Sequence, residues 1–165
     1  MIADDFSYQG LRAELLYDAH SGLFRKILTN TAGVYKDRPT GSIQKSGYVS
    51  IALFGKSYKA HRLAWFYVHS KWPYHSIDHI DGNKANNAIC NLREATQAEN
   101  LQNMKSSYSG SASGLLGVTR APFGKWMARI NINGKNRYLG HFQSPKAAHS
   151  AYLEEKRKSH AFCTI

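Results

Sequence analysis

Apolar and polar positions fall in short bursts along this chain, and their spacing predicts a succession of small elements. Residues 15–27, Leu15-Leu16-Tyr17-Asp18-Ala19-His20-Ser21-Gly22-Leu23-Phe24-Arg25-Lys26-Ile27, read as two strands around a turn that ends at Gly22. Residues 29–46 are loop-like and basic. Tyr48 to Leu53 alternates as a strand, Gly55-Lys56 turns, and Ser57 to Ala60 returns. From His61 to His69 the block carrying Leu63, Ala64, Trp65, Phe66 and Val68 predicts a helix that ends before Pro73. Ile77 to Ile80 is a short strand, and Asp81-Gly82 turns it. Thr96-Gln97-Ala98-Glu99 fits a capping box, which places Asn100 in the first turn of a helix.

Residues 105–114 are rich in Ser and Gly and lack any apolar period, so they are expected to form a flexible linker between domains at 1–104 and 115–165. Beyond it, Leu116 to Arg120 is strand-like. Lys125 to Ile132 alternates strongly, Asn133-Gly134 is a hairpin turn, and Arg137 to Phe142 is the return strand. Ser144-Pro145 gives an N-cap with proline at the first helical position. The helix after it bears Ala147, Ala148, Ala151 and Tyr152, a face small enough to lie close on a sheet. The fold class is α+β: a ββα unit, then a three-stranded antiparallel sheet packed on one helix.

Charge changes this picture from a fold to a partner. The 165 residues carry a net charge of +11, which points to an acidic partner, nucleic acid first and an anionic membrane second; with the motifs below, the expected partner is double-stranded DNA. Residues 1–104 hold 12 Lys/Arg and 9 Asp/Glu, net +3, and residues 105–165 hold 10 and 2, net +8. No apolar run reaches the roughly 18 residues of a membrane span, and the acidic start Met1-Ile2-Ala3-Asp4-Asp5 argues against a secretory signal. Cys90 and Cys163 stand alone, so neither a cysteine zinc site nor a disulfide framework is expected, and the setting is taken as cytoplasmic.

The candidate chemistry is concentrated at Asp78-His79. Asn91 lies twelve residues after His79, and Asn100 twenty-one. A carboxylate from Asp78 and an amide oxygen from Asn100 are hard ligands suited to one Mg²⁺ or Mn²⁺ ion. His79 can take a proton from water near neutral pH. Asn91 is expected to tie the intervening loop together. Neighbouring residues on a regular strand face opposite ways, so Asp78 and His79 share a site only where the strand bulges or ends. His61 either reaches phosphate beside Arg62 or caps the helix. Trp126, Ala128, Ile130 and Ile132 share one face of the middle C-terminal strand and are expected to be core. Lys125, Met127, Arg129 and Asn131 share the other, which leaves Arg129 and Asn131 for DNA, with Arg120, Lys125, Arg137 and Tyr138 nearby.

His61-Arg62-Leu63-Ala64-Trp65, Asp78 to Asn83, Asn86-Asn87, Asn91-Leu92-Arg93 and Asn100 together resemble the HNH endonucleases of phages and mobile introns. The resemblance covers roughly residues 13–104. It implies the ββα-metal fold, His79 as general base, Asp78 and Asn100 as metal ligands in the HNN variant, Asn103 as a fallback ligand, and Asn91 as the loop brace, with Arg93 among the DNA contacts. Gly117-Val118, Gly124-Lys125-Trp126, Ala128-Arg129-Ile130, Leu139 to Phe142 and Ala147 to Tyr152 resemble the Apetala-two DNA-binding domain, whose sheet lies in the major groove. Only Arg120 stands where that family has several arginines. The expected protein is a monomeric, metal-dependent DNA endonuclease of the phage or homing type. The alternative is a DNA-binding regulator with a degenerate nuclease half.

Overall fold

The computed structural model describes residues 6–27, 38–104, 107 and 110–160. The acidic start, Cys163, Lys36 with half of the basic loop, and four positions of the Ser/Gly stretch lie outside the described residues. Two compact units form, Met1–Thr96 and Gln97–Ile165.

In the first unit, Ser7 caps helix α1 (Tyr8–Glu14) by accepting from the Gly10 N–H at 3.1 Å. Strands β1 (Leu15–Asp18) and β2 (Leu23–Lys26) follow as an antiparallel hairpin. Its turn is closed by Asp18, which accepts from the His20 N–H at 3.0 Å, and by Gly22 at φ 73°. Strands β3 (Ser42–Ile43), β4 (Val49–Leu53) and β5 (Lys56–Lys59) make a meander in that order. Its tight turn is Phe54-Gly55, at φ 49° and 75°, one residue earlier than the sequence suggested. Helix α2 (Ala60–His69) ends at Ser70, whose left-handed backbone closes it without a glycine. Strands β6 (Ser76–His79) and β7 (Leu92–Ala95) pair antiparallel, with Asp78 opposite Arg93 and His79 opposite Leu92.

The core of this unit joins Leu11, Leu15, Phe24, Ile51, Leu63 and Phe66 to Ile77 and Leu92. Burying a side chain of the size of Leu63 stabilises by about 1.5–3 kcal/mol. Trp72 stacks on Phe66 at 4.5 Å and holds the end of α2. The site strands therefore hang from the same core as the helix before them.

The second unit opens with helix α3 (Gln97–Gln102), then strands β8 (Val118–Arg120), β9 (Trp126–Ile132) and β10 (Lys135–Phe142) in the order β10-β9-β8, and helix α4 (Pro145–Ser159). Ser144 caps α4 by accepting from the Ala147 N–H at 3.2 Å. Val118, Ala128 and Ala148 form the centre, flanked by Trp126, Leu139 and Phe142. The ring of Tyr152 packs on Gly117 so closely that a Cβ there would lie 2.0 Å from the ring. Buried positions on α4 are Ala148, Tyr152 and Lys156, four residues apart, while Ala147 of the expected apolar face is exposed.

The division falls before α3 rather than in the Ser/Gly stretch, and two contacts explain it. The Lys156 ammonium, with the residue fully buried, donates to the Met104 carbonyl just past α3. Ser113 accepts from the Leu115 N–H at 3.2 Å and lies 3.0 Å from the Val118 carbonyl, so the end of the stretch is a turn folded onto β8. Among the described residues no helix is long and apolar enough to cross a membrane.

Candidate active site

Strand β6 ends at His79, and this decides the geometry. Ile77 and His79 face the interior, while Asp78 points the other way, opposite Arg93. His79 is 3% exposed. Its ring lies edge-on to His61, with centroids 5.1 Å apart, and 5.9 Å from Tyr48. Its Nε2 is 3.3 Å from Asn87 Oδ1. Burial pushes its pKa below the ordinary imidazole value, and the Asn87 bond opposes that shift in part. Burial therefore favours the neutral ring.

His61 is buried too. Desolvation, then the neighbouring His79, depress its pKa to about 3. Its Nδ1 has no hydrogen-bond partner among the described residues. At the first turn of α2 His61 faces inward, because this helix face also carries buried Ala60 and Ala64. Arg62 lies over the Trp72 ring at 5.7 Å.

The loop from Ile80 to Asn91 is built of asparagine bonds. Asn91 Nδ2 donates to Asp81 Oδ1 at 3.0 Å and to the Asn86 carbonyl at 2.9 Å, and its Oδ1 accepts from the Asp81 N–H at 3.0 Å. Its carbonyl accepts from the Ile80 N–H at 2.9 Å. One buried side chain thus ties both ends and the middle of the loop. Slight burial opposes the charge of Asp81, but bonds from Asn86, the Asn83 N–H and Asn91 outweigh it and hold its carboxyl below the ordinary range. Asp81 makes the turn.

Asp78 is held by a cation. Arg93 Nη2 and Nε donate to its Oδ2 at 2.8 and 3.0 Å, with the two side chains 23% and 13% exposed. The Arg93 side chain expected at DNA lies on the carboxylate expected at the metal. Asn100 is partly buried on α3, and Asn103 is buried just past it. No group of three His, Cys, Asp or Glu side chains placed to hold a metal occurs among the described residues. Carboxylate and amide oxygens are hard donors of the kind that Mg²⁺ or Mn²⁺ takes, and the Asp78 carboxylate is already paired with a guanidinium.

Residues 58–102 match the HNH endonuclease family. Over 88 residues the chain is 37% identical to Protein 3.8 of Escherichia phage T7, covering 52% of this chain and 72% of that one. The chain belongs to the HNH endonuclease family. It is also 35% identical over 105 residues to DNA endonuclease I-HmuI of Bacillus phage SP01, covering 57% of this chain and 56% of that protein. The chain thus spans little more than half the length of that relative. A solved structure of the HNH homing endonuclease I-HmuI aligns with TM-score 0.47 and 23% identity, covering 93% of this chain and 85% of that one.

The HNH match takes in Asp78, His79, Asn91 and Asn100. On the sheet of the second unit, register sorts the remaining candidates. Arg129, Asn131, Met127 and Tyr138 share the face away from α4, and Arg129 pairs with Tyr138. Arg137 pairs with buried Ile130, on the α4 side, and is bonded to Glu155 at 2.7 Å. Arg120 pairs with Trp126 on that same side. Strand alternation turns both arginines to the α4 side. Lys125 is exposed at the start of β9. Sequence reasoning gave no role to Tyr48 or Phe123, and quoted Asn87 only within the HNH resemblance. Phe123 is 99% exposed at φ 58° between Pro122 and Gly124, and the Pro-x-Gly spacing around an aromatic was its signal. Tyr48 had none, because it reads as a strand residue until folded, and the motif that included Asn87 gave it no partner.

Proposed function

We propose that this chain is a metal-dependent DNA endonuclease that hydrolyses phosphodiester bonds, with His79 as general base. The observation that carries the reading is a buried, neutral histidine at the end of β6, inside the HNH match. HNH nucleases generally use a divalent metal ion. Asp78 and Asn100 would hold it here, and when bound it offsets charge on the phosphate and on the departing oxygen. His79 takes a proton from the attacking water as the water oxygen bonds to phosphorus. The phosphorus–O3′ bond breaks, and its electron pair leaves with O3′, giving 5′-phosphate and 3′-hydroxyl ends. Asn91 keeps the loop from yielding as charge develops on the ring. Arg129, Asn131 and Tyr138 on the open sheet face, with Lys125 beside it, form an Apetala-two-like DNA surface.

The alternative, a DNA-binding regulator, is favoured by one observation: Arg93 already neutralises Asp78. Incubation with supercoiled plasmid separates the two. The nuclease nicks or linearises it with Mg²⁺ or Mn²⁺ and stops in chelator. Intact plasmid with both ions, or equal cutting in chelator, defeats the metal mechanism.

A further inference from the structure

The β1–β2 hairpin lies outside residues 58–102, yet its contacts converge on Asn87, Ala88 and Ile89. Tyr17 Oη donates to the Asn87 carbonyl at 2.7 Å. The Ile89 N–H donates to the Ala19 carbonyl at 3.0 Å. Gly22 comes so near that a Cβ on it would lie 2.2 Å from the Ala88 nitrogen and 2.3 Å from the Asn87 carbonyl carbon. Three separate contacts thus fix a loop backbone whose sequence offers no helix or strand.

The Asn87 side chain, in a residue 2% exposed, uses this fixed backbone. Its Nδ2 donates to the Ala85 carbonyl at 3.1 Å, and its Oδ1 faces His79 Nε2 at 3.3 Å. The two contacts determine the amide orientation together. Flipped, the amide would set oxygen against the Ala85 carbonyl oxygen. An oxygen facing Nε2 requires a proton on Nε2. A neutral imidazole carries one ring proton, so its lone pair then lies on Nδ1.

We infer that Asn87 is a positioning residue that fixes His79 as its Nε2–H tautomer, making Nδ1 the atom that accepts the proton of water, and that the β1–β2 hairpin holds Asn87 in place. This rests on the nuclease reading for its consequence, not for its geometry. When water yields its proton to Nδ1, the Nε2–H remains on Asn87 Oδ1, and the imidazolium keeps that acceptor. Residues 15–24 therefore serve the reaction through the backbone that carries Asn87.

The test uses full-length protein labelled with ¹⁵N-histidine, with His79 assigned by loss of its signals in His79→Ala. Long-range ¹H–¹⁵N correlation reads the tautomer, and single-turnover plasmid cleavage is followed beside DNA affinity. Wild type should show a protonated Nε2 and an unprotonated Nδ1. Asn87→Leu should mix the tautomers and slow cleavage about 10- to 100-fold with DNA affinity within about twofold. A wild-type Nδ1–H tautomer, or a tautomer unchanged in Asn87→Leu, overturns the inference. Should Asn87→Leu not fold, Tyr17→Phe reads the same signal: partial mixing with slower cutting supports it, and no change in either overturns it. If wild type cuts no DNA, the nuclease reading falls, while the tautomer still decides the role of Asn87.

Discussion

Two side chains at neighbouring positions lead opposite lives here. His79 loses water, which favours its neutral form, whereas Asp78 is ion-paired with Arg93. His79→Ala should lower cleavage by on the order of 10²–10⁴ while DNA affinity holds, because only proton transfer is lost. Near wild-type cutting would move the base elsewhere, and buried His61 is the adjacent imidazole. Arg93 makes a different prediction. A guanidinium and a divalent ion near one carboxylate repel by about 1 kcal/mol or more. Arg93→Ala should therefore bind Mn²⁺ at least about fivefold more tightly, read by calorimetry without DNA. Unchanged or weaker binding would show that the two cations do not compete. None of this pairing was legible in the sequence, where Arg93 looked like any exposed arginine of a DNA-binding chain.

Among the elements, legibility followed periodicity. The β4–β5 meander, α2, the β9–β10 hairpin and α4 were read from apolar spacing, turn residues and caps. Helix α1 was not, because Leu11 is its only buried residue and Gly10 interrupts it. Strand β7 was not, because Leu92 and Ala95 are buried at its ends with Arg93 and Glu94 between them, a pattern set by pairing with β6 rather than by alternation. The helix-side position of Arg137 required the register, which bulges between Tyr138 and Gly140. Close packing gives a test at this scale. Gly117 at φ 71° touches the Tyr152 ring. Gly117→Ala should cost at least about 2 kcal/mol, seen as a lower melting temperature with loss of near-ultraviolet dichroism. A variant as stable as wild type would mean that Tyr152 can swing away freely.

For the chain as a whole, charge and fold divide alike. The C-terminal excess of +8 read from the sequence lies in the unit that presents Arg129, Asn131 and Tyr138 on an open sheet face. Binding to DNA should therefore weaken steeply with salt, and Arg129→Ala should reduce the log–log slope by about one. Arg137→Ala should leave it nearly unchanged, since that arginine is bonded to Glu155. Equal slopes for wild type and Arg129→Ala would place DNA recognition elsewhere, with Arg38 and Lys45 as the nearest basic loop positions described.

The fully buried Lys156 gives this protein an internal clock. Amines exposed to solvent acylate as fast as reagent reaches them. The Lys156 amine, closed off against Met104, reacts only when α4 lifts from the end of α3. In a mass-spectrometric time course its peptide should lag behind those bearing Lys146 and Lys158, both exposed on the same helix. The length of that lag measures how often the second unit opens, a rate that no static contact reveals.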